Sequence, residues 1–249
     1  MAKESLIRES TVERVRSAKN VFALTGAGVS AESGVPTFRG GGGATVWKGM
    51  PFDVISSAQM VERDLAAVWE WFDYRRGVLR ELKPNAAHTT LAEWEEKFND
   101  FTLATQNIDG LHAAAGLKDV LELHGTIWQA RCLACDRSKS LRDERGGEQP
   151  QRPPVCGTCG GEMRPDVVLF GEMLPANVLE RAAEAAERCD VCFVIGTSGV
   201  VYPAAGLAEI AKRAGAYVIE INPERTALSD LCDETIKGQA GEILPRFQI

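Results

Sequence analysis

Three observations predict an α/β fold, a doubly wound parallel sheet with a smaller domain inserted. Short apolar runs stop in glycine-rich or polar turns after Thr25, Thr105, Ile195 and Ile221. Helical periodicity fills the stretches between those runs, as crossover connections in a parallel sheet require. Two close cysteine pairs interrupt this order between residues 126 and 165. At 249 residues the chain suffices for one large domain, or a large domain with a small insert. Apolar residues at 45% and charged residues at 25% exclude a disordered chain. A formal charge of −7 opposes generic nucleic-acid binding, whereas an acidic rim attracts a basic peptide.

Residues 10–19 alternate charged and apolar side chains at helical spacing, with Ser10 or Thr11 as the expected cap. Residues 20–25 read as a buried strand, followed by the turn Gly26-Ala27-Gly28 and an expected helix. Four consecutive glycines, Gly40 to Gly43, exclude regular structure and predict a mobile loop. Residues 51–82 are helical by period, with Trp69, Phe72 and Leu79 on one face. Asn85 is placed to cap a helix over 86–98. Further strands are expected over 101–105, 191–195 and 217–221, and helices over 175–188 and 204–214. Residues 142–154, rich in charge, glycine and proline, predict an exposed tip. The division that follows gives residues 1–35, 85–125 and 166–249 to the sheet domain, and 36–84 with 126–165 to the smaller one. The start lacks the apolar segment of a signal peptide, and no run reaches the roughly eighteen apolar residues of a membrane helix. The expectation is a soluble, cytoplasmic protein.

The cysteines carry the sharpest signal. Two residues separate Cys132 from Cys135 and Cys156 from Cys159, and twenty separate the pairs. That spacing suits one tetrahedral Zn²⁺ held by four thiolates, a closed cage with no position for substrate, so the metal is structural. Cys189 and Cys192 stand at the entry to an apolar strand and are read as core thiols on opposite faces; Cys232 is read as core too. An odd count of seven cysteines fits a reducing compartment.

Other groups cluster at strand ends. Gly26, Ala27 and Gly28 let a backbone approach a pyrophosphate, and Ala31 is small enough for close packing where a third glycine is usual. A Gly-x-Gly read alone fits a plain turn equally well; the strand before it favours the phosphate reading. Arg39, next to Phe38, suits a phosphate clamp or a solvated charge. Gln106, Asn107, Ile108 and Asp109 end a strand, where they suit an amide and sugar hydroxyls or simple turn capping. Of three histidines, His124 precedes the cysteine module and suits a general base. His88 reads as structural, and His112 as orienting its loop.

Taken together, the stretch from Gly26 to Arg39, the run Thr105 to His112, Leu123-His124-Gly125, the paired cysteines, Val167 to Glu172 and Gly196-Thr197-Ser198 resemble the sirtuins, in family order. The resemblance implies a Rossmann-like doubly wound parallel sheet with a smaller zinc-binding and helical domain inserted. It also implies an NAD-dependent protein-lysine deacylase yielding nicotinamide and O-acyl-ADP-ribose, with protein mono-ADP-ribosyl transfer as the alternative. By their match, His124 is the base that activates a ribose hydroxyl. Asn107 and Asp109 hold the nicotinamide amide, Phe38 and Arg39 cover the ribose, and Gln106 reaches it. Gly196 and Thr197 bind the cofactor, Ser198 and Asn222 meet its adenosine half, and Ala240 makes a backbone contact to adenine. Val167, Val168, Phe170 and Gly171 resemble the strand on which an acyl-lysine peptide adds. Phe72 and Arg75 align with a Tyr and an Arg that bind acidic acyl groups in some members. With the hydroxyl lost and the cation kept, the expected activity is broad: deacetylation, with desuccinylation and demalonylation weakened by about 1 kcal/mol. The expected protein is a monomer or weak oligomer with no membrane partner.

Overall fold

The computed structural model describes residues 7–36, 46–143 and 152–249. Phe38, Arg39, the glycine run 40–43 and most of the expected tip lie outside the described residues. From the N-terminus, α1 (Glu9–Ser17) leads to β1 (Asn20–Thr25), a 3₁₀ helix (Ala27–Ser33) and a hairpin of β2 (Val46–Trp47) and β3 (Met50–Pro51). The helices α2 (Phe52–Ile55), α3 (Ala58–Arg63), α4 (Leu65–Arg80) and α5 (Ala86–Lys97) follow. Next come β4 (Asp100–Thr105), α6 (Leu111–Ala114), β5 (Val120–Glu122), β6 (Gly125–Cys132), β7 (Ser138–Ser140) and β8 (Met163–Val167). The chain closes with α7 (Ala176–Arg188), β9 (Val191–Ile195), α8 (Gly206–Arg213), β10 (Tyr217–Asn222), β11 (Glu234–Lys237), α9 (Ala240–Ile243) and a 3₁₀ turn (Leu244–Phe247).

The main sheet has the order β11-β10-β9-β1-β4-β5, and every pairing in it is parallel. Strands are added outward from β1 in one direction through β4 and β5, then in the other through β9, β10 and β11. The helices that follow β1 and β9 therefore pack on opposite faces of the sheet, and a crevice lies along its carboxyl edge at this switch point. Side-chain alternation builds a core on each face. Val21, Ala23, Phe193 and Ile195 pack with Trp94 and Phe247 on one side. Phe22, Leu24, Cys192 and Val194 pack with Ala186 of α7 and Leu207 of α8 on the other. The four central strands fall where the apolar runs predict. The edge strands β5 and β11 do not announce themselves, being three and four residues long.

Several local expectations are corrected. The helix over 51–82 is three helices. Ser57 caps α3 through the Met60 N–H, and Asp64 caps α4 through the Ala67 N–H, the polar breaks that a pure periodicity reading passes over. Trp69 packs in a different cluster from Phe72 and Leu79, so α4 has two buried faces rather than one. Neither Ser10 nor Thr11 caps α1; Arg8 occupies that position, and the Thr11 hydroxyl donates to the Glu234 carboxylate instead. The expected helix after Gly26 is present, as a seven-residue 3₁₀ helix closed by Gly34 at φ +89°. Cys189 precedes β9 at the end of α7, so strand alternation does not reach it. It packs in the same cluster as Cys192, with Cys232 against that cluster. Asn85 does cap α5, in a reciprocal box in which the Asn85 N–H donates to His88 Nδ1.

Beside the main sheet lies a three-stranded antiparallel sheet, β7-β6-β8, whose ends carry the paired cysteines.

Candidate active site

The first wall of the crevice is backbone against backbone. The Gly26 N–H donates to Ile195 O at 3.0 Å and the Gly28 N–H to Gly196 O at 2.8 Å. A Cβ on Gly28 would stand 2.7 Å from Gly196 Cα, and one on Gly26 would stand 2.8 Å from Thr197 Cβ. Gly196, at φ +59°, has the same constraint from its own side. The glycines are thus required for the close meeting of the β1 and β9 loops. Both of these N–H groups are spent inside the protein, while Gly26, Ala27 and Gly28 still border the cleft. Side chains lace the neighbouring loops to the same place. Gln106 Nε2 donates to Thr197 Oγ1 at 2.9 Å, and Asn222 Nδ2 donates to Thr197 O at 2.9 Å.

Behind this wall runs a buried polar chain centred on Ser30, a residue to which the sequence reading gave no role. Because His88 Nδ1 accepts from Asn85, neutral His88 carries its proton on Nε2 and points it at Ser30 Oγ, 3.3 Å away. Asn107 Nδ2 donates to the same oxygen at 3.1 Å and to Gly26 O at 3.1 Å. Ser30 in turn donates to Asp109 Oδ2 at 2.8 Å, and Asp109 Oδ1 accepts from the Leu111 N–H at 2.9 Å. Asn107 and Asp109 are thereby held by one hydroxyl. Burial lowers the His88 pKa to about 4 and that of His112 well below the usual range, so both are neutral. His112 is placed by Thr25 Oγ1, 3.0 Å from its Nε2. Burial raises the Asp109 pKa against the opposing pull of Leu111 N–H, Ser30 and Arg75.

His124 stands in the mouth of the crevice, half-buried, in a turn that only glycine can follow. Gly125 has φ +68°, and a Cβ there would meet Asp166 O at 2.3 Å. The imidazole Nδ1 lies 2.8 Å from Gln106 O, which fixes the proton on Nδ1 and leaves Nε2 as the acceptor. Burial lowers the His124 pKa, and the Gln106 carbonyl offsets part of that. At pH 7 this is a neutral base held in one tautomer.

The second wall is made of side chains. Phe72 and Arg75 of α4 face the crevice together with Ile108, Asp109, Val167 and Leu169. Desolvation lowers the Arg75 pKa to about 10, against the charge of Asp109. The segment after β8 is tied on both sides. The Val168 N–H donates to His124 O at 2.9 Å, and Phe170 exchanges hydrogen bonds with Ser56 and Ala58. The Val168 N–H and both backbone groups of Phe170 are therefore engaged within the protein. Arg164, buried and not foreseen, organises this segment by donating to Val167 O at 2.8 Å and Glu172 Oε2 at 3.0 Å. Gly26, Ala27, Gly28, Gln106, Asn107, His124, Gly196, Thr197, Ser198, Asn222, Ala240 and Gly171 all border the same cleft, which encloses about 1640 Å³. That is larger than a single drug-sized site.

Cys132, Cys135, Cys156 and Cys159 converge with all four sulfurs within 4.8 Å of one another. The Cys132–Cys159, Cys135–Cys159 and Cys135–Cys156 separations are 3.5, 3.4 and 3.7 Å. A tetrahedral zinc with Zn–S near 2.3 Å sets sulfurs about 3.8 Å apart, so the cluster fits that ion. Backbone N–H groups of Cys159 and Thr158 pull the Cys156 pKa down to about 6, toward the thiolate a metal needs.

A parallel sheet with a crevice at its switch point, a fixed neutral imidazole in the mouth and a four-thiolate metal module define a dinucleotide-handling α/β protein of the zinc-containing kind. The Sir2 family model matches residues 26–203. The chain is 47% identical to an NAD-dependent protein deacylase of Aquifex aeolicus, over 89% of this chain and 90% of that one. It is 46% identical to NAD-dependent protein deacylase 2 of Pyrobaculum aerophilum, over 96% and 93%. Among solved structures, a Sir2 homologue–NAD complex superposes with TM-score 0.89 at 41% identity, covering 97% of this chain and 92% of that one. A Sir2–p53 peptide–NAD⁺ complex superposes with TM-score 0.82 at 30% identity, covering 96% and 95%. The chain belongs to the Sir2 family.

Proposed function

We propose that this protein is an NAD-dependent protein-lysine deacylase, acting on acetyl-lysine and, less efficiently, on succinyl- and malonyl-lysine. The observation that carries the reading is the meeting in one cleft of a neutral His124 with Asn107 and Asp109, which a single serine holds in register. The names of the relatives support deacylation over mono-ADP-ribosyl transfer. Bound NAD supplies an activated bond between its ribose and nicotinamide, and ADP-ribose to receive the acyl group; no hydride moves.

Asn107 and Asp109, rigid through Ser30, present an amide and a carboxyl group to the nicotinamide carboxamide. His124 Nε2 takes a proton from a ribose hydroxyl, since Nδ1–H is already committed to Gln106 O. Gln106, Thr197, Ser198, Asn222 and Ala240 line the nucleotide wall, and a role for Phe38 and Arg39 toward the ribose rests on the family resemblance alone. Phe72 and Ile108 keep the acyl site dry, and Arg75 gives an acidic acyl chain a cation to pair with. An acyl-lysine peptide docks along Val167, Val168, Phe170 and Gly171, which border the cleft. Cys132, Cys135, Cys156 and Cys159 would hold a zinc with four thiolates, a structural role that leaves proton transfer to His124. Residues 1–35, 85–125 and 166–249 serve as the NAD-binding domain, and 36–84 with 126–165 as the smaller one. Among the described residues no helix is long and apolar enough to cross a membrane. The four-thiolate cluster supports a reducing, cytoplasmic setting, and monomeric or weakly oligomeric action is part of the same reading.

The test is nicotinamide release from NAD in the presence of acetyl-, succinyl- and malonyl-lysine peptides. Release that depends on an acyl peptide is expected. Release without any peptide, or none with every peptide, contradicts the reading.

A further inference from the structure

Helix α4 carries two faces with different partners. Trp69, Asp73, Arg76 and Arg80 recur at helical spacing and turn toward residues 126–165. The Trp69 indole N–H donates to Met163 O at 2.8 Å. Asp73 accepts a two-pronged hydrogen bond from Arg152, at 2.8 Å from Nε and 3.1 Å from Nη2. Arg76 pairs with Asp73 and donates to Ile127 O at 3.4 Å, and Arg80 donates to Leu141 O at 3.3 Å. Trp69 is fully buried in the cluster that contains Cys132 and Cys156. The guanidinium carbons of Arg152 and Arg76 lie 4.5 and 5.3 Å from its ring centre. Roughly a quarter-turn around the same helix, Phe72 and Arg75 face the cleft. A helix pinned along one face carries the other with it. The meeting of the Gly26, Gln106 and Gly196 loops does not involve this helix, because those loops are bonded to one another.

We propose that the four-cysteine module sets acyl-group recognition through α4, with Asp73 as the joint. Asp73 is a positioning residue that fixes where Phe72 and Arg75 stand in the cleft wall. The proposal rests on the deacylase reading. Its physical basis is the fork of Arg152 on Asp73, a charge-assisted pair whose geometry a lysine cannot reproduce. Loosening it lets α4 turn or slide against β8, which moves both acyl-facing side chains and leaves the nucleotide loops in place.

Two variants test this, Asp73→Asn and Arg152→Lys. Binding of acetyl- and succinyl-lysine peptides is read by fluorescence anisotropy, NAD binding by calorimetry, zinc content by metal analysis, and KM apart from kcat by turnover. Asp73→Asn is expected to weaken acyl-peptide binding and raise KM roughly tenfold. The succinyl-to-acetyl ratio changes, while zinc content and NAD affinity stay at the wild-type level. Arg152→Lys shifts the same quantities in the same direction, by less, and decides the matter alone if Asp73→Asn does not fold. Peptide affinities equal to wild type in a folded variant overturn the proposal, as does a parallel loss of peptide and NAD affinity. Wild-type turnover of the same peptides tests the deacylase reading separately, since the anisotropy comparison needs no turnover.

Discussion

On the nucleotide wall backbone meets backbone, with Gly28 lodged against Gly196 and Thr197 receiving hydrogen bonds from Gln106 and Asn222. On the acyl wall, by contrast, Phe72 and Arg75 project from a helix held by Trp69, Asp73, Arg76 and Arg80. The first arrangement tolerates no added atom and leaves little to vary. The second can change what it recognises by exchanging one side chain, provided the helix stays in place. A constant co-substrate and a variable acyl group call for such a division.

Four outcomes would break or sharpen this contrast. The largest concerns the group between the two walls. His124→Ala is expected to lower kcat/KM by about 10³-fold while NAD still binds, as for loss of a general base. The wild-type pH profile should hold its plateau below pH 6.5 before falling, because the pKa of His124 is lowered by burial. An acid limb centred at or above 6.5, or a variant with intact turnover, would remove His124 from its role.

Next comes Gly28→Ala, which places a methyl group 2.7 Å from Gly196 Cα. Backbone cannot step aside cheaply, so a cost of about 3 kcal/mol in urea unfolding is expected, with weaker NAD binding. A neutral substitution would show that the two loops are not locked together.

The third is a pH dependence of stability. His88 has its folded pKa lowered to about 4 from 6.5, so the unfolded chain binds the extra proton first as pH falls. The stability is complete above pH 6.5 and is lost on the way down to pH 4. Between pH 7 and 5 His88 alone should cost about 2 kcal/mol, read from urea midpoints. His112 acts in the same direction. A stability that is flat or rising over that interval would mean these imidazoles are not buried neutral behind the nucleotide wall.

The smallest effect is on the variable wall. Phe72→Tyr adds a hydroxyl near Arg75, and should raise succinyl over acetyl preference by roughly fivefold, about 1 kcal/mol. NAD affinity should not move. No change in the ratio would place Phe72 away from the acyl carboxylate.

How legible each wall was follows from how it is built. The strands Asn20–Thr25 and Val191–Ile195 and the turns after them are local, so their apolar runs and glycines mark the nucleotide side directly. The cysteine spacing is equally local, and the four sulfurs converge as that spacing requires. The reason for Gly28 was not local. It answers to Gly196, far along the chain, and no turn rule contains that contact. Ser30 reads as one small polar residue among several, and becomes central only when His88, Asn107 and Asp109 are brought around it. Arg164 and Asp73 look like surface charges until the fold supplies Glu172 and Arg152. The long helical period over 51–82 hid two breaks, although the caps Ser57 and Asp64 were there to be read.

On the proposed function, the cleft directs the ribose of a dinucleotide, rather than its redox ring, at a modified lysine. Mass analysis of the products formed from NAD and an acetyl-lysine peptide tests it most directly. Free lysine peptide, nicotinamide and O-acetyl-ADP-ribose are expected in equal amounts. Reduced NAD, or ADP-ribose attached to protein with the acetyl group still on the peptide, would contradict it.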